Sequence, residues 1–195
     1  MLSRWHRKNL VSTPALPNKR MSIVQQIVQL YILQRAPKDV SYNPQALVWM
    51  FFIAIALFTV LAANDPIIGS PFGAAACSVI VSLAIDYAVL GIHDKSSRFV
   101  QMSTASLGVS IVGAVIMSLA GLTEGLAAFV VVVQFWGFYL AISILRETLE
   151  CSFLKATLIT LASYMVTAYI IIMLFVDMQV VQQMQMSQMQ PSAGQ

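Results

Sequence analysis

Few residues in this sequence could do chemistry. Asp86 is the one ionisable side chain well inside a long apolar run, residues 71–92. A carboxyl group set in hydrocarbon is costly, so by default it marks a proton or ion station, or a polar contact between helices. Ala74, Ser78, Ser82 and Asp86 recur at intervals of four, which puts them on one stripe of a helix. Ser106, Ser110, Ala114 and Ser118 repeat that interval in the next run, and Thr160, Ser163, Tyr164 and Thr167 cluster in the last. Small and polar stripes let helices approach closely and hydrogen-bond across an interface, so the three stripes should face one another. Counting inward from the cationic ends of the runs places Asp86, Tyr139, Ser143, Thr160 and Ser163 at similar depth, with Gln134 nearer the middle. The spacing therefore predicts an intramembrane polar pocket of Asp86, Ser82, Gln134, Tyr139 and Ser163. In one reading it is a small-solute or proton conduit, or a transport-accessory site, in which Asp86 titrates. In the other, Asp86 is a structural acid near the interface, kept neutral or hydrogen-bonded to hydroxyls and tyrosine, that holds the bundle together. The lack of an internal repeat and the odd number of runs favour the second.

Other chemistry lacks its patterns. H-E-x-x-H, G-x-S-x-G and G-x-x-x-x-G-K strings do not occur, and His6 and His93 stand alone. The chain reads as a non-enzyme, with no catalytic residue, cofactor or metal assigned. Met184, Met186 and Met189 form an M-x-M-x-x-M string whose soft thioethers would suit Cu(I). A helix end rich in helix-compatible residues explains the string as well, and no metal site is assigned to it. Cys77 and Cys151 fall towards opposite ends of their runs, too far apart for a disulfide, and neither has metal-ligand spacing.

The elements that must hold these residues follow from composition. The chain has 195 residues, 58% hydrophobic and 10% charged, with mean hydropathy +0.79. A soluble domain carries about 25% charged residues, so a water-soluble globule is excluded. Apolar runs at 46–63, 71–92, 105–122, 126–145 and 156–176 are each long enough for a membrane helix. The first lies too far behind the N-terminus for a cleaved signal. The expected fold is all-α: an integral bundle of five transmembrane helices over 46–176. Before it stand a disordered leader at 1–20 and an amphipathic cytoplasmic helix with its loop at 21–45; after it comes a Met/Gln-rich, low-complexity tail at 177–195. The composition break at Met21 suggests that the leader is an upstream-start extension.

Sidedness follows from the cations. Arg4, Arg7, Lys8, Lys19, Arg20, Arg35 and Lys38 precede the first run, Lys95 and Arg98 follow the second, and Arg146 and Lys155 follow the fourth; these are all 11 Lys and Arg residues. The positive-inside rule puts these segments in the cytoplasm and the C-terminus outside. The net charge of +3 thus reflects topology, and no nucleic-acid partner is expected. In 21–34 the polar Ser22, Gln25, Gln26 and Gln29 oppose Ile23, Val24, Ile27, Val28, Leu30 and Tyr31. Pro37 ends this helix, which is too short to span and is expected to lie on the cytoplasmic surface or under the bundle. It would be a docking helix or simply an anchor held by its own apolar face. Leu145, Leu149 and Phe153 recur every four residues, which predicts that the fourth span continues two turns into the cytoplasm.

Three segments carry a resemblance: 33–44 (LQRAPKDVSYNP), 98–108 (RFVQMSTASLG) and 145–154 (LRETLECSFL). They resemble a family of small, uncharacterised polytopic proteins of proteobacterial inner membranes, over about residues 21–176. The resemblance implies a multi-pass protein of the bacterial inner (cytoplasmic) membrane, N-terminus cytoplasmic and C-terminus periplasmic. It implies Arg35, Pro37, Asp39, Tyr42, Pro44, Arg98, Phe99, Gln101 and Arg146 as family positions on the cytoplasmic side. The layout also resembles Yip-type five-span membrane proteins, which act by interaction in trafficking or assembly. Together these imply a non-catalytic interaction or assembly factor whose surface comprises Arg35, Pro37, Asp39, Tyr42, Arg98, Gln101 and Arg146. Its partners would be membrane lipid and a protein or a second copy of the chain.

Overall fold

A computed structural model describes residues 22–34, 39–121, 127–177 and 180–181. The leader, Arg35, Pro37 and the methionine string of the tail lie outside the described residues. The described chain is helical: α1 (Ile23–Tyr31), α2 (Pro44–Ala62), α3 (Pro71–Ile92), a 3-10 turn (Ser96–Arg98), α4 (Phe99–Gly121), α5 (Ala127–Leu149) and α6 (Phe153–Phe175). Helices α2 to α6 are long and apolar enough to cross a membrane, as the five runs predict.

Local chemistry sets the starts. Asn43 caps α2 by accepting from the Ala46 amide, and Ser70 and Ser152 cap α3 and α6 in the same way. Pro44 and Pro71 occupy the first helical positions, where no amide hydrogen is needed. Ser22 and Gln25 form a reciprocal capping box at α1.

The ends are less ordinary. Leu33, Asp94 and Glu150 follow α1, α3 and α5 in the left-handed region, with φ of 58°, 55° and 55°. After each, the next amide donates back across the turn: Gln34 to the Gln29 carbonyl at 2.8 Å, Lys95 to Leu90 at 2.8 Å, Cys151 to Arg146 at 3.2 Å. These are Schellman closures made without glycine. The closure at Glu150 corrects the expected extension of the fourth span. Helix α5 stops at Leu149, and Phe153 opens α6 behind its Ser152 cap. The four-residue recurrence there runs across two helices.

The spans form a ring. Helix α2 packs on α3 and α4, α4 on α5, α5 on α6, and α6 back on α3. Helix α4 is the most buried span and α6 the least. It also starts earlier than its apolar run, at Phe99, because Ser103 and Thr104 are fully enclosed although polar. Among the described residues every Lys and Arg sits at one end of the ring, here the cationic end. At the other end Ile68 and Val176 form an antiparallel bridge, with the Gly69 amide donating to the Phe175 carbonyl at 2.9 Å. This fastens α6 to the α2–α3 loop.

Helix α1 lies along α4 rather than flat across the end. Ile27 sits over Gly108, and Leu30 joins a core with Met102, Ala105, Leu140 and Ile144. Trp136 Nε1 donates to the Tyr31 carbonyl at 3.0 Å. The faces differ from the predicted ones. Gln26 is buried and accepts from the Ser41 amide at 3.0 Å, while Val24, Val28 and Ile32 point outward. That outer stripe is apolar, a surface suited to hydrocarbon. Binary patterning missed this because a glutamine bonded to backbone can enter the interior.

Candidate functional site

At the cationic end two loops are locked together. The 3-10 turn after α3 presents Arg98, and the left-handed turn after α5 presents Glu150. Arg98 Nη2 donates to Glu150 Oε1 at 2.6 Å and Lys95 Nζ to Oε2 at 3.2 Å, while Arg98 Nη1 donates to the Thr148 carbonyl at 2.9 Å. Hydrogen bonds from Arg98, then Lys95, and the charges of both hold the Glu150 carboxyl below the usual glutamate range. The group is exposed and screened, so its value lies in orientation more than in energy. Gln101 Nε2 adds a bond to the Val40 carbonyl at 3.2 Å, tying the segment before α2 to α4.

Beside this latch lies a cleft of about 810 Å³, lined by Leu33, Arg98, Gln101, Tyr139, Ser143, Arg146 and Glu147 among others. Three of the expected interaction residues, Arg98, Gln101 and Arg146, therefore share one surface. Asp39 and Tyr42 are exposed on the segment leading to α2 and do not line it.

Deeper in the ring, Asp86, Ser82 and Ser163 line a chamber of about 220 Å³ with Ser78, Ser106, Ser110, Thr160, Tyr164 and Thr167. The predicted convergence of the α3, α4 and α6 stripes is thus present at this chamber. Gln134 instead lines a second chamber of about 770 Å³ between α4 and α5. Tyr139 belongs to neither; it faces the cleft, 5.7 Å from the Trp136 ring. Depth alone does not fix a helix face. On α5, Gln134, Gly137, Phe138 and Ala141 turn to the chamber, whereas Tyr139, Ser143 and Arg146 turn to the cleft.

The hydroxyls serve their own helices. Ser163 donates to the Ile159 carbonyl at 2.8 Å and Ser143 to Tyr139 at 2.9 Å. The Asp86 carboxyl group lines the chamber together with the hydroxyls of Ser82, Thr160 and Tyr164. No group of three His, Cys, Asp or Glu among the described residues could hold a metal ion, and Cys77 and Cys151 are free thiols.

Sequence reasoning missed the latch itself. Lys95 and Arg98 are visible as a pair in a loop, but Glu150 reads as one charge on a continuing helix until its left-handed turn aims it back at them. It also missed Met102, which lines both the cleft and the Asp86 chamber. Compared with known protein families, curated proteins and solved structures, the chain matches none.

Proposed function

We propose that the chain is a non-catalytic interaction or assembly factor that works through the cleft at its cationic end. The observation that carries this reading is the Lys95–Glu150–Arg98 latch. It fixes two loops around Gln101, Arg146 and Glu147. A polar surface already held in place binds with less ordering cost than a mobile one. By the positive-inside rule that end is cytoplasmic, which puts the C-terminus across the membrane. The motif resemblance supports a bacterial inner-membrane location and the same interaction role. The partner would be a protein, or a second copy, contacting the cleft while lipid surrounds the spans.

The test is photo-crosslinking in cells from position 101 or 146, followed by mass spectrometry. The reading expects a discrete neighbour that disappears in Arg98→Ala. Crosslinks to lipid only, or an adduct pattern unchanged by that substitution, would overturn it. A reporter fused after Gln195 and active in the cytosol would overturn the sidedness.

A second reading is favoured by Met102. This side chain borders both the cleft and the Asp86 chamber, so the two cavities are neighbours, which supports a small-solute or proton conduit. Under this reading Asp86→Asn abolishes flux in reconstituted vesicles. Under the first it leaves the crosslinks intact.

A further inference from the structure

The two chambers adjoin, and the larger opens outward between α4 and α5 past Val131 and Phe135. Phe58, Ser106, Ser110, Ala141, Ile144 and Tyr164 wall both of them. At 1.5 Å per residue, Asp86 stands about 9 Å from the cationic end of α3, and Met117 of the larger chamber about 27 Å from the cationic end of α4. Together the two chambers therefore reach roughly 18 Å along the bundle axis beyond Asp86.

Their chemistry differs from one side of the bundle to the other. Among the described residues Asp86 is the one acidic or basic side chain lining either chamber. On the α3 and α6 side Ser78, Ser82, Thr160 and Thr167 line the smaller chamber with hydroxyls, whereas on the α4 and α5 side Gly113, Met117, Val131, Gly137 and Phe138 make the larger one mostly apolar. A carboxylate withdrawn from water needs a cation or a strong donor, and no cationic side chain lines either chamber among the described residues. A purely polar solute would leave the apolar part unfilled, a pure hydrocarbon would leave the carboxylate unpaired, and an anionic amphiphile would be repelled. The larger volume lies in the range of small-ligand cavities, roughly 300–1,000 Å³.

We infer that this space is a binding site for an amphipathic amine, its ammonium head set against Asp86 and the surrounding hydroxyls and its single hydrocarbon tail lying in the apolar chamber between α4 and α5. The site is separate from the latch and does not depend on what the cleft binds.

Native mass spectrometry of the full chain in a non-ionic detergent tests it, with dodecylamine, dodecanol and dodecanoate offered at equal concentration. The expected result is one retained equivalent of dodecylamine, with the alcohol and the carboxylate at least tenfold weaker. Asp86→Asn should weaken dodecylamine at least tenfold and leave dodecanol unchanged. Gly137→Leu should weaken both. A Cβ at Gly137 meets nothing within 4 Å and Gly137 lines the larger chamber, so leucine there is directed into it, and this variant reports even where Asp86→Asn folds poorly. Equal retention of the three probes would overturn the inference, as would undiminished binding in Gly137→Leu. Lysophosphatidylethanolamine, a single-tailed lipid, added as competitor separates two sources of the same ammonium head. Displacement of dodecylamine assigns the site to a bilayer lipid and persistence assigns it to a free amine, and both support the site.

Discussion

A single methyl group at Gly108 should undock α1. A Cβ built there would stand 2.6 Å from Ile27 Cδ1 and 2.8 Å from both Cγ1 and Cγ2. The contact spans the whole side chain and not just its tip. Isoleucine is branched at Cβ and stiff in a helix, so no rotation clears both γ carbons. Ile27 is also only 3% exposed, which leaves no open side for it to swing into. Overpacking of this kind costs about 1–3 kcal/mol, or roughly 5- to 150-fold in the docking equilibrium.

Trp136 reports the event because its indole nitrogen holds the Tyr31 carbonyl. With Trp5 and Trp49 replaced by Phe, it is the sole emitter among the three tryptophans of the chain. Gly108→Ala should shift its emission and expose the Ser41 amide, now bonded to Gln26, to faster hydrogen exchange. Ile27→Ala removes all three clashing atoms. Combined with Gly108→Ala it should cost less than the sum of the two single substitutions by about 1–3 kcal/mol. Strict additivity, or a Gly108→Ala protein with unchanged emission and exchange, would refute the docked geometry of α1.

Three further outcomes follow from the same geometry. Because the Glu150 carboxyl is held below its ordinary range, the latch contributes fully above the unfolded glutamate value of about 4.3 and is lost as pH falls through the lower folded value. Thermal unfolding followed from pH 7 downward should show this acid step in the wild type and lose it in Glu150→Gln. Asp94→Gly, at φ 55°, should raise stability by about 1 kcal/mol by relieving a left-handed residue. Ser103 Oγ is enclosed without a hydrogen-bond partner among the described residues, so Ser103→Ala should be neutral or stabilising by about 1 kcal/mol. A clear fall in melting temperature would mean that the hydroxyl has a partner.

The spans were legible because lipid imposes one rule along the whole length of each helix: backbone groups must bond within it. Asn43–Pro44, Ser70–Pro71 and Ser152 mark helix starts within a few residues for similarly local reasons. What stayed hidden depended on direction. Leu33, Asp94 and Glu150 give no sign in sequence that they turn left-handed, because glycine is the usual signal there. The meeting of the Asp86, Ser110 and Thr160 stripes was readable from spacing. The side of α5 facing them was not, since nearly every position on that helix is apolar and periodicity has no contrast to work with. Helix α1 shows the same limit from the opposite direction, with Gln26 inside and Val24 outside.

That lack of contrast bears on why a space persists inside the ring at all. In water, burying apolar area would drive α4, α5 and α6 together over the gap at about 25 cal/mol for each Å². In hydrocarbon that drive vanishes, because lipid tails are as apolar as the side chains. The distribution of sizes fits such a solvent: Trp49, Phe52 and Phe72 face outward, while Ser78, Ser82, Ser106, Gly113 and Gly137 face the chambers. Helices whose bulky residues point to lipid and whose small ones point inward gain little by closing, and close approach is checked where Phe58, Ile144 and Tyr164 stand between the two chambers. Filling the inner face is then the cheapest route to tighter packing. Gly113→Leu and Gly137→Leu, each entering space where a Cβ meets nothing within 4 Å, should raise the melting temperature in detergent while removing room for a tail. A loss of stability in both would mean that the chambers are already filled by the protein's own motion, and that neither is a place where anything else can bind.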